Sequence, residues 1–190
     1  IMASILKVDK IRGTGLDSDT ISLDGTGNIT IPKNVTFSGS LTSSQALVQT
    51  NRIVFHANRI SSNQTISAAT ATTIQFNNTT INVGSCYDTG TYKFTPTTAG
   101  NYYLYSKAQL TGTFGDNSTY YIAIRKNGSG ISLVEDKVWE AGAYSISKTV
   151  NIIVAANGST DYFDVQIYNG SGNPPVRFGA SFTQFGGYLL

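Results

Sequence analysis

The clearest pattern in the chain is the alternation of large side chains between residues 91 and 110. Residues 91–95 alternate as a half-buried strand does, residues 96–100 supply turn chemistry, and residues 102–110 form a second strand. One set of its side chains points to one face and consists of Tyr102, Leu104, Ala108 and Leu110. Tyr103 and Tyr105 point to the other face. Bulk on both faces predicts that both are covered, one by the chain's own core and the other by a second sheet or another subunit.

Strand-like segments separated by Gly, Asn, Asp or Pro recur from residue 53 onward, at spacings typical of a β-sandwich. They cover residues 53–60, 72–76, 79–83, 92–95, 102–110, 119–126, 131–136, 144–154, 162–168 and 179–190. Within residues 161–167 the alternation is clean and places Phe163, Val165 and Ile167 inward. No segment holds a convincing helical period, so the pattern predicts an all-β fold.

Residues 1–46 form a distinct region with shorter strand-like pieces, at 5–8, 20–23, 29–31 and 35–37. Strands this short cannot close a core of their own. We expect either that several copies wrap together about an axis or that the region docks onto a larger body; a flexible tail is the alternative. The predicted division is therefore a β-rich, extended attachment or shaft region at 1–46 and a larger domain at 47–190.

Composition narrows the classes of function. The 190 residues are 40% hydrophobic but only 13% charged, about half the usual charged share. A net charge of +2 with scattered Lys and Arg gives no electrostatic footprint for nucleic acid. No apolar run is long enough to insert in a membrane, and the N-terminus lacks the pattern of a signal peptide. A polar but uncharged surface suits a stable assembly outside the cell.

Residues that could support catalysis are few. His56 is the single histidine, and its neighbours suggest a structural position on a strand. Cys86 is the single cysteine, which precludes an intrachain disulfide, and a buried or half-exposed thiol is the favoured interpretation. Glu135 and Asp136 are adjacent, so on a strand they point to opposite faces. These observations favour a non-enzymatic protein without a cofactor. Calcium is a minor alternative, because the oxygen-rich residues 17–19 and 24–28 lack the spacing of the helix–loop–helix calcium site.

Several short segments resemble a known family. They are FHANR at 55–59, YKFTP at 92–96, GNYYL at 100–104, RKNG at 125–128, and SF and FGGYLL at 181–182 and 185–190. In this order they resemble the globular head of complement component one, subcomponent q, a family allied to tumour necrosis factor. The resemblance covers residues 47–190. It implies a ten-stranded antiparallel jelly-roll sandwich that assembles as a tight homotrimer, with the two-faced strands lining the threefold axis.

Carried over to this sequence, the resemblance makes specific residues candidates for contacts. The trimer interface would contain Tyr103, Tyr105 and Tyr121 at the axis and Phe185, Tyr188 and Leu189 at the base. Candidate ligand-binding loops would present Asp116, Asn117, Lys137, Trp139 and Arg177. The single tryptophan could stack on a sugar ring or plug the end of the sandwich, and plugging is favoured because tryptophan buries a large apolar area. Some relatives bind calcium through apical loop carboxylates, and Asp116 and Asp161 lie near loops here without a defining motif.

The leading region resembles a different class of protein. ASILKVDKI at 3–11 is similar to the start of structural proteins of tailed bacteriophages, especially marine and cyanobacterial ones, and LDGTGNITIP at 23–32 resembles their fibre shafts. We therefore expect a virion protein: a homotrimeric tail fibre or spike that attaches to the host surface, with glycan as the expected ligand, and that contacts other virion proteins through its N-terminal region. A capsid decoration protein at local threefold positions is the alternative. A cellular lectin or signalling ligand, or a carbohydrate hydrolase, is less well supported.

Overall fold

The computed structural model describes residues 53–190 and three short strands that precede them. The three strands are β1 (Lys10–Ile11), β2 (Ile21–Leu23) and β3 (Ile29–Thr30), which form an antiparallel sheet in the order β1-β2-β3. Two of them fall within the strands predicted at 20–23 and 29–31, whereas the predictions at 5–8 and 35–37 lie outside the described residues. The chain divides into two compact units, Ile1–Val48 and Gln49–Leu190; the sequence places this boundary between residues 46 and 47.

The second unit contains eleven strands, and the described residues form no helix. They are β4 (Val54–Asn58), β5 (Thr72–Thr73), β6 (Asn78–Val83), β7 (Tyr87–Asp88), β8 (Lys93–Phe94), β9 (Gly100–Phe114), β10 (Ser118–Lys126), β11 (Ser129–Val138), β12 (Gly142–Ala156), β13 (Phe163–Asn169) and β14 (Gln184–Leu189). All ten predicted segments contain a strand, and the all-β prediction is confirmed. The added strand is the two-residue β7, which is too short to produce an alternation in the sequence.

The strands form two antiparallel sheets that pack face to face. One sheet has the order β12-β9-β14-β4-β6, and the other has the order β11-β10-β13-β8-β7 with β5 paired to β13. Strands far apart in sequence are neighbours in the sheets. The last strand, β14, for example, lies between β4 and β9. Such long crossovers between two sheets are the topology of a jelly roll, as predicted.

The longest pairing joins β9 and β12, which have 15 residues each and pair along their whole length. The sequence places the end of β9 at residue 110 and a turn at 112–117. The strand instead continues to Phe114, because this fully buried side chain anchors its end, and Gly112 remains paired despite a φ of +122°. The turn shrinks to residues 115–117, with Asn117 in the left-handed region that asparagine tolerates.

Aromatic side chains dominate the core between the sheets. Phe55 stacks on Phe94 with ring centroids 4.3 Å apart and meets Phe185 edge-on at 4.9 Å. The predicted inward sets are confirmed, since each of their members is at most 2% exposed: Tyr102, Leu104, Ala108, Leu110, Phe163, Val165 and Ile167. Aromatic pairs of this geometry add about 0.5–1.5 kcal/mol each beyond the area they bury.

The register defines two opposite ends of the sandwich. At the Phe114 end, β9 ends at Phe114 opposite Gly142, where β12 begins. The β9–β10 turn and the β11–β12 loop are adjacent there. At the Gly100 end, Gly100 lies opposite Ala156, and β4 starts where β14 finishes. Among the described residues no helix is long and apolar enough to span a bilayer.

Candidate functional site

The outer face of the β12-β9-β14-β4-β6 sheet carries a continuous set of apolar and aromatic side chains. We call it the aromatic face, and it consists of Val54, His56, Ile81, Val83, Tyr103, Tyr105, Ile153 and Tyr188. The pairing register arranges these residues in two neighbouring rows across five strands. One row contains Ile153, Tyr103, Tyr188, Val54 and Val83. The other contains Tyr105, His56 and Ile81, with Gly186 between the first two.

Much of the aromatic face is open to solvent in the single chain. Ile153 is 63% exposed, and Tyr188, Val83 and Ile81 are each 44–47% exposed. The ring of Tyr103 lies between those of Tyr188, at 5.6 Å, and Tyr105, at 6.1 Å. Soluble monomers rarely leave contiguous apolar surface of this kind uncovered, so the aromatic face indicates a binding partner.

Gly186 allows Tyr105 to lie across β14. A Cβ at Gly186 would come within 2.4 Å of the Tyr105 hydroxyl oxygen, so only glycine leaves room for the ring there. The Tyr105 hydroxyl thereby reaches His56 Nδ1 on the next strand at 3.0 Å. Burial lowers the pKa of His56 and raises the pKa of Tyr105. The neutral forms of both groups are therefore favoured on this face.

The structure brings together three of the six residues predicted for the trimer interface, namely Tyr103, Tyr105 and Tyr188. Phe185 is fully buried and packs in the core, so its predicted role in subunit contacts was wrong. Leu189 also packs against the core rather than onto the aromatic face. The reason is the period of β14: glycines occupy positions 186 and 187, and the side chains of 185 and 189 fall on the inward face.

Tyr121 lies on the opposite sheet, so its prediction as an axis residue beside Tyr103 was wrong. It is on β10, and its ring stacks on that of Tyr168 on β13, with centroids 5.1 Å apart and planes 9° from parallel. The two sheets have separate outer faces, and one axis cannot run along both. Alternation reveals that a strand has bulk on two faces, but it does not reveal to which sheet the strand belongs.

The sequence interpretation missed five members of the aromatic face: Val54, His56, Ile81, Val83 and Ile153. His56 was expected only as a structural residue on a strand. Ile81 and Val83 alternate within a short strand, and Ile152 and Ile153 place apolar bulk on both faces of β12. These signals were present in the sequence. Only the sheet order, with β6 and β12 at the two edges, places them on one surface.

Four of the five predicted ligand-binding residues lie at the Phe114 end. Asp116 and Asn117 form the β9–β10 turn, Lys137 is the penultimate residue of β11, and Trp139 follows that strand. Trp139 is 71% exposed, so the interpretation that it plugs the sandwich was wrong. Strand β11, which precedes Trp139, ends at Val138, and the Val138 side chain is buried instead of the tryptophan.

Arg177 has a structural role. Its backbone N–H donates to the carbonyl of Gln109, and its Nη1 donates to Gln109 Oε1 at 2.9 Å. Its guanidinium group also lies 3.6 Å from the ring centroid of Phe182. These contacts hold the segment before β14 against β9, and they engage the side chain that was predicted to bind a ligand.

A cleft of about 360 Å³ opens beside Trp139. We call it the Trp139 cleft, and it is lined by Tyr120, Lys137, Val138, Trp139, Glu140, Tyr144 and Ile146. The ammonium group of Lys137 lies 4.4 Å from the tryptophan ring centroid. Nearby, Lys148 pairs with Asp136, and hydrogen bonding from Lys148 lowers the pKa of Asp136.

The other titratable groups considered from the sequence are engaged elsewhere. Cys86 is buried, and burial raises the pKa of its thiol to about 11, so the unreactive protonated form prevails at neutral pH. Asp161 accepts hydrogen bonds from Asn127 and from the Asn157 backbone and pairs with Lys126 at 2.9 Å. These donors lower its pKa to about 2. The described residues contain no cluster of three or more His, Cys, Asp or Glu side chains that could hold a metal ion.

Comparison with known proteins agrees with this architecture. Residues 54–190 match the model of the C1q domain family. The chain belongs to the C1q domain family. Solved structures of similar fold include the globular domain of zebrafish complement 1qA, with a TM-score of 0.56 and 15% identity, which covers 73% of this chain and 97% of that one. Murine APRIL, at pH 5.0, has a TM-score of 0.55 and 13% identity over 73% of this chain and 99% of its own.

A third similar structure is the Eiger TNF of S. frugiperda, with a TM-score of 0.53 and 10% identity over 73% of this chain and 92% of its own. No curated protein matched the sequence. At these identities the structural likeness establishes the jelly-roll fold of the C1q domain and nothing about its ligand.

Proposed function

We propose that this chain is a non-enzymatic structural protein of a tailed-bacteriophage virion, a homotrimeric tail fibre or spike whose C1q domain attaches to a host-surface glycan. The observation that carries the homotrimer is the aromatic face. Its side chains span five adjacent strands; they are exposed on β12, β14 and β6 and half-buried on β9 and β4 in the single chain. In a trimer each copy would bury them against its neighbours.

A second and a third copy of the chain are the occupants that best suit the aromatic face. Its residues run across the middle and both edges of one sheet, so a single surface serves every subunit around a closed axis. The surface is apolar and aromatic with no charged side chain among its members, as in the cores of obligate interfaces. The C1q domain family, to which residues 54–190 belong, is typically trimeric, and this supports the same arrangement.

The virion assignment rests on the N-terminal sequence. Residues 3–11 and 23–32 are similar to phage structural proteins and fibre shafts, and the low charged fraction of 13% suits a stable extracellular assembly. A homotrimer presents three copies of each loop, so weak individual contacts with a repetitive host surface add to firm attachment. The N-terminal region would join the trimer to other virion proteins.

Electron microscopy of virions labelled with antibody against this protein tests the proposal. Label at the tail, together with inhibition of adsorption by monovalent antibody fragments, is the expected result. Label distributed over the capsid would instead assign the alternative role of a trimeric decoration protein at local threefold positions. Unlabelled particles would overturn the virion assignment. Light scattering provides a separate test of assembly, with an expected mass of about three times the 20.3-kDa chain.

A further inference from the structure

We infer that the Trp139 cleft binds a neutral hexopyranose unit of a surface carbohydrate, with the sugar ring stacked on the exposed indole. The inference deepens the proposed function and rests on it, because it locates the glycan contact that attachment requires. It concerns the Phe114 end of the sandwich, where loops can change without disturbing the strands that carry them.

The exposure of Trp139 is the first observation. It is the single tryptophan of the chain, and 71% of it is open to solvent although it is the largest apolar side chain available for burial. Aromatic side chains with one polar edge are enriched at binding interfaces. The Lys137 ammonium lies over one face of the Trp139 indole. The opposite face offers a flat apolar surface that matches the C–H face of a pyranose ring.

The walls of the cleft are preformed. Phe114, which is fully buried, contacts the rings of Tyr120 and Tyr144 edge-on at 6.1 and 6.0 Å. The Tyr144 hydroxyl donates to the backbone carbonyl of Glu140 at 3.3 Å and ties the loop to β12. After the β9–β10 turn, the Ser118 hydroxyl donates a hydrogen bond to Asn169 Oδ1 at 3.1 Å within the buried end of the sandwich. A site with fixed walls binds a rigid ring without first ordering a loop.

The polar groups of the cleft select the class of ligand. Lys137 can donate hydrogen bonds, the Glu140 carboxylate can accept them, and the Tyr144 hydroxyl, whose hydrogen is donated to the Glu140 carbonyl, can accept one as well. A ligand with several hydroxyl groups satisfies donors and acceptors together, whereas an apolar ligand would leave them unpaired. Lys137 and Glu140 carry opposite charges, so the lining favours a neutral sugar over an acidic one. The volume of about 360 Å³ is at the small end of ligand sites and is suited to a single sugar unit.

The cleft is independent of the aromatic face. Tyr144 pairs with Gly112, nine residues along β9 from Tyr103, and this corresponds to about 30 Å at the rise of a β-strand. Substitutions in the cleft should therefore leave subunit association unchanged. A trimer would present three such clefts at the same end of the assembly.

The test uses the full-length protein and an array of oligosaccharides that contain neutral hexoses, acidic sugars, or both. We expect neutral hexose-containing probes to bind. Because Trp139 is the single tryptophan, titration with the bound oligosaccharide should change tryptophan emission saturably, with the same midpoint as binding measured by calorimetry. Trp139→Ala should weaken binding about tenfold or more, and Trp139→Phe, which retains a flat ring, by less.

Phe178→Ala provides a matched control, because Phe178 is another exposed aromatic residue, 46% open to solvent, outside the cleft lining. It should bind as the parent does, and light scattering should give all three variants the mass of the parent. Failure of every neutral probe to bind, exclusive binding of acidic probes, or full binding by Trp139→Ala would each overturn the inference. An intact trimer in those cases would leave the proposed assembly standing, whereas a monomer with normal sugar binding would overturn the assembly alone.

Discussion

Replacement of Tyr103 by glutamate should break the trimer, and the same replacement of Tyr121 should not. Tyr103 is at the centre of the aromatic face, between Tyr105 and Tyr188. Tyr121 is a half-buried tyrosine on the outer face of the other sheet. The two substitutions remove the same ring and add the same charge, so they differ only in the surface on which the carboxylate is placed.

The magnitude is worked for three carboxylates brought together at the proposed threefold axis. Carboxylates about 8 Å apart, at an effective dielectric constant of about 20, repel by about 2 kcal/mol per pair, or about 6 kcal/mol for the three pairs. Desolvation adds several kcal/mol for each buried carboxylate. Either contribution alone lowers the association constant by about four powers of ten or more, which is enough to dissociate the trimer at micromolar concentration.

Sedimentation velocity and light scattering on the two variants measure this effect, and thermal unfolding monitors the fold. We expect monomer for Tyr103→Glu and trimer for the parent and Tyr121→Glu. An intact trimer in Tyr103→Glu would refute the assignment of the aromatic face as the subunit interface. Dissociation of Tyr121→Glu with a normal melting curve would point to the opposite sheet instead.

Three further predictions concern the fold itself. Burial lowers the pKa of His56 from its ordinary value of 6.5, so as the pH falls the histidine is protonated in the unfolded chain before it is protonated in the folded one. At pH values below about 6.5 the melting temperature should therefore decrease more in the parent than in His56→Gln. Parallel pH profiles of the two proteins would contradict this. Arg125 donates two hydrogen bonds of 2.7 Å to the buried carboxylate of Asp164. Arg125→Ala should therefore cost about 3–5 kcal/mol in denaturant unfolding. Lys148→Ala, which breaks the more exposed pair with Asp136, should shift the unfolding midpoint much less, because solvent screens that pair. A Cβ at Gly187 would come within 2.8 Å of the Tyr103 carbonyl oxygen, so Gly187→Ala should destabilise the folded state by about 1–3 kcal/mol. Gly130→Ala should be nearly neutral, because a Cβ there would meet no atom within 4 Å. Equal unfolding midpoints for the two variants would refute the packing argument.

The sequence was sufficient for the class of fold and for the inward faces of the long strands. Tyr102, Leu104 and Phe163 alternate with half-buried or polar neighbours, and the two-residue period of a strand directly converts that alternation into a buried face. The strand ends were less predictable. Gly112 is a turn residue by composition, yet the burial of Phe114 two positions later keeps β9 paired to its end.

The candidate sites could be located only from the three-dimensional structure. Phe185 and Tyr188 are both large and aromatic, and no local pattern distinguishes the one that enters the core from the one that faces outward when two glycines separate them. Tyr121 was grouped with Tyr103 because both strands are bulky on two faces, whereas sheet membership depends on pairings between residues far apart in the chain. Trp139 was predicted as a plug from its size, and the preceding Val138 fills that position.

The direction of β4 has a mechanical consequence. The polypeptide enters this strand at the Gly100 end, while the Trp139 cleft is at the opposite end of the sandwich. In the proposed attachment role, tension between the start of β4 and a sugar bound in the Trp139 cleft would therefore run along the strands. Hydrogen bonds between antiparallel strands are perpendicular to the strand axis. Those that β14 and β6 make with β4 would therefore be loaded in shear and would share the force. When a strand is instead peeled from its end, its hydrogen bonds open one after another.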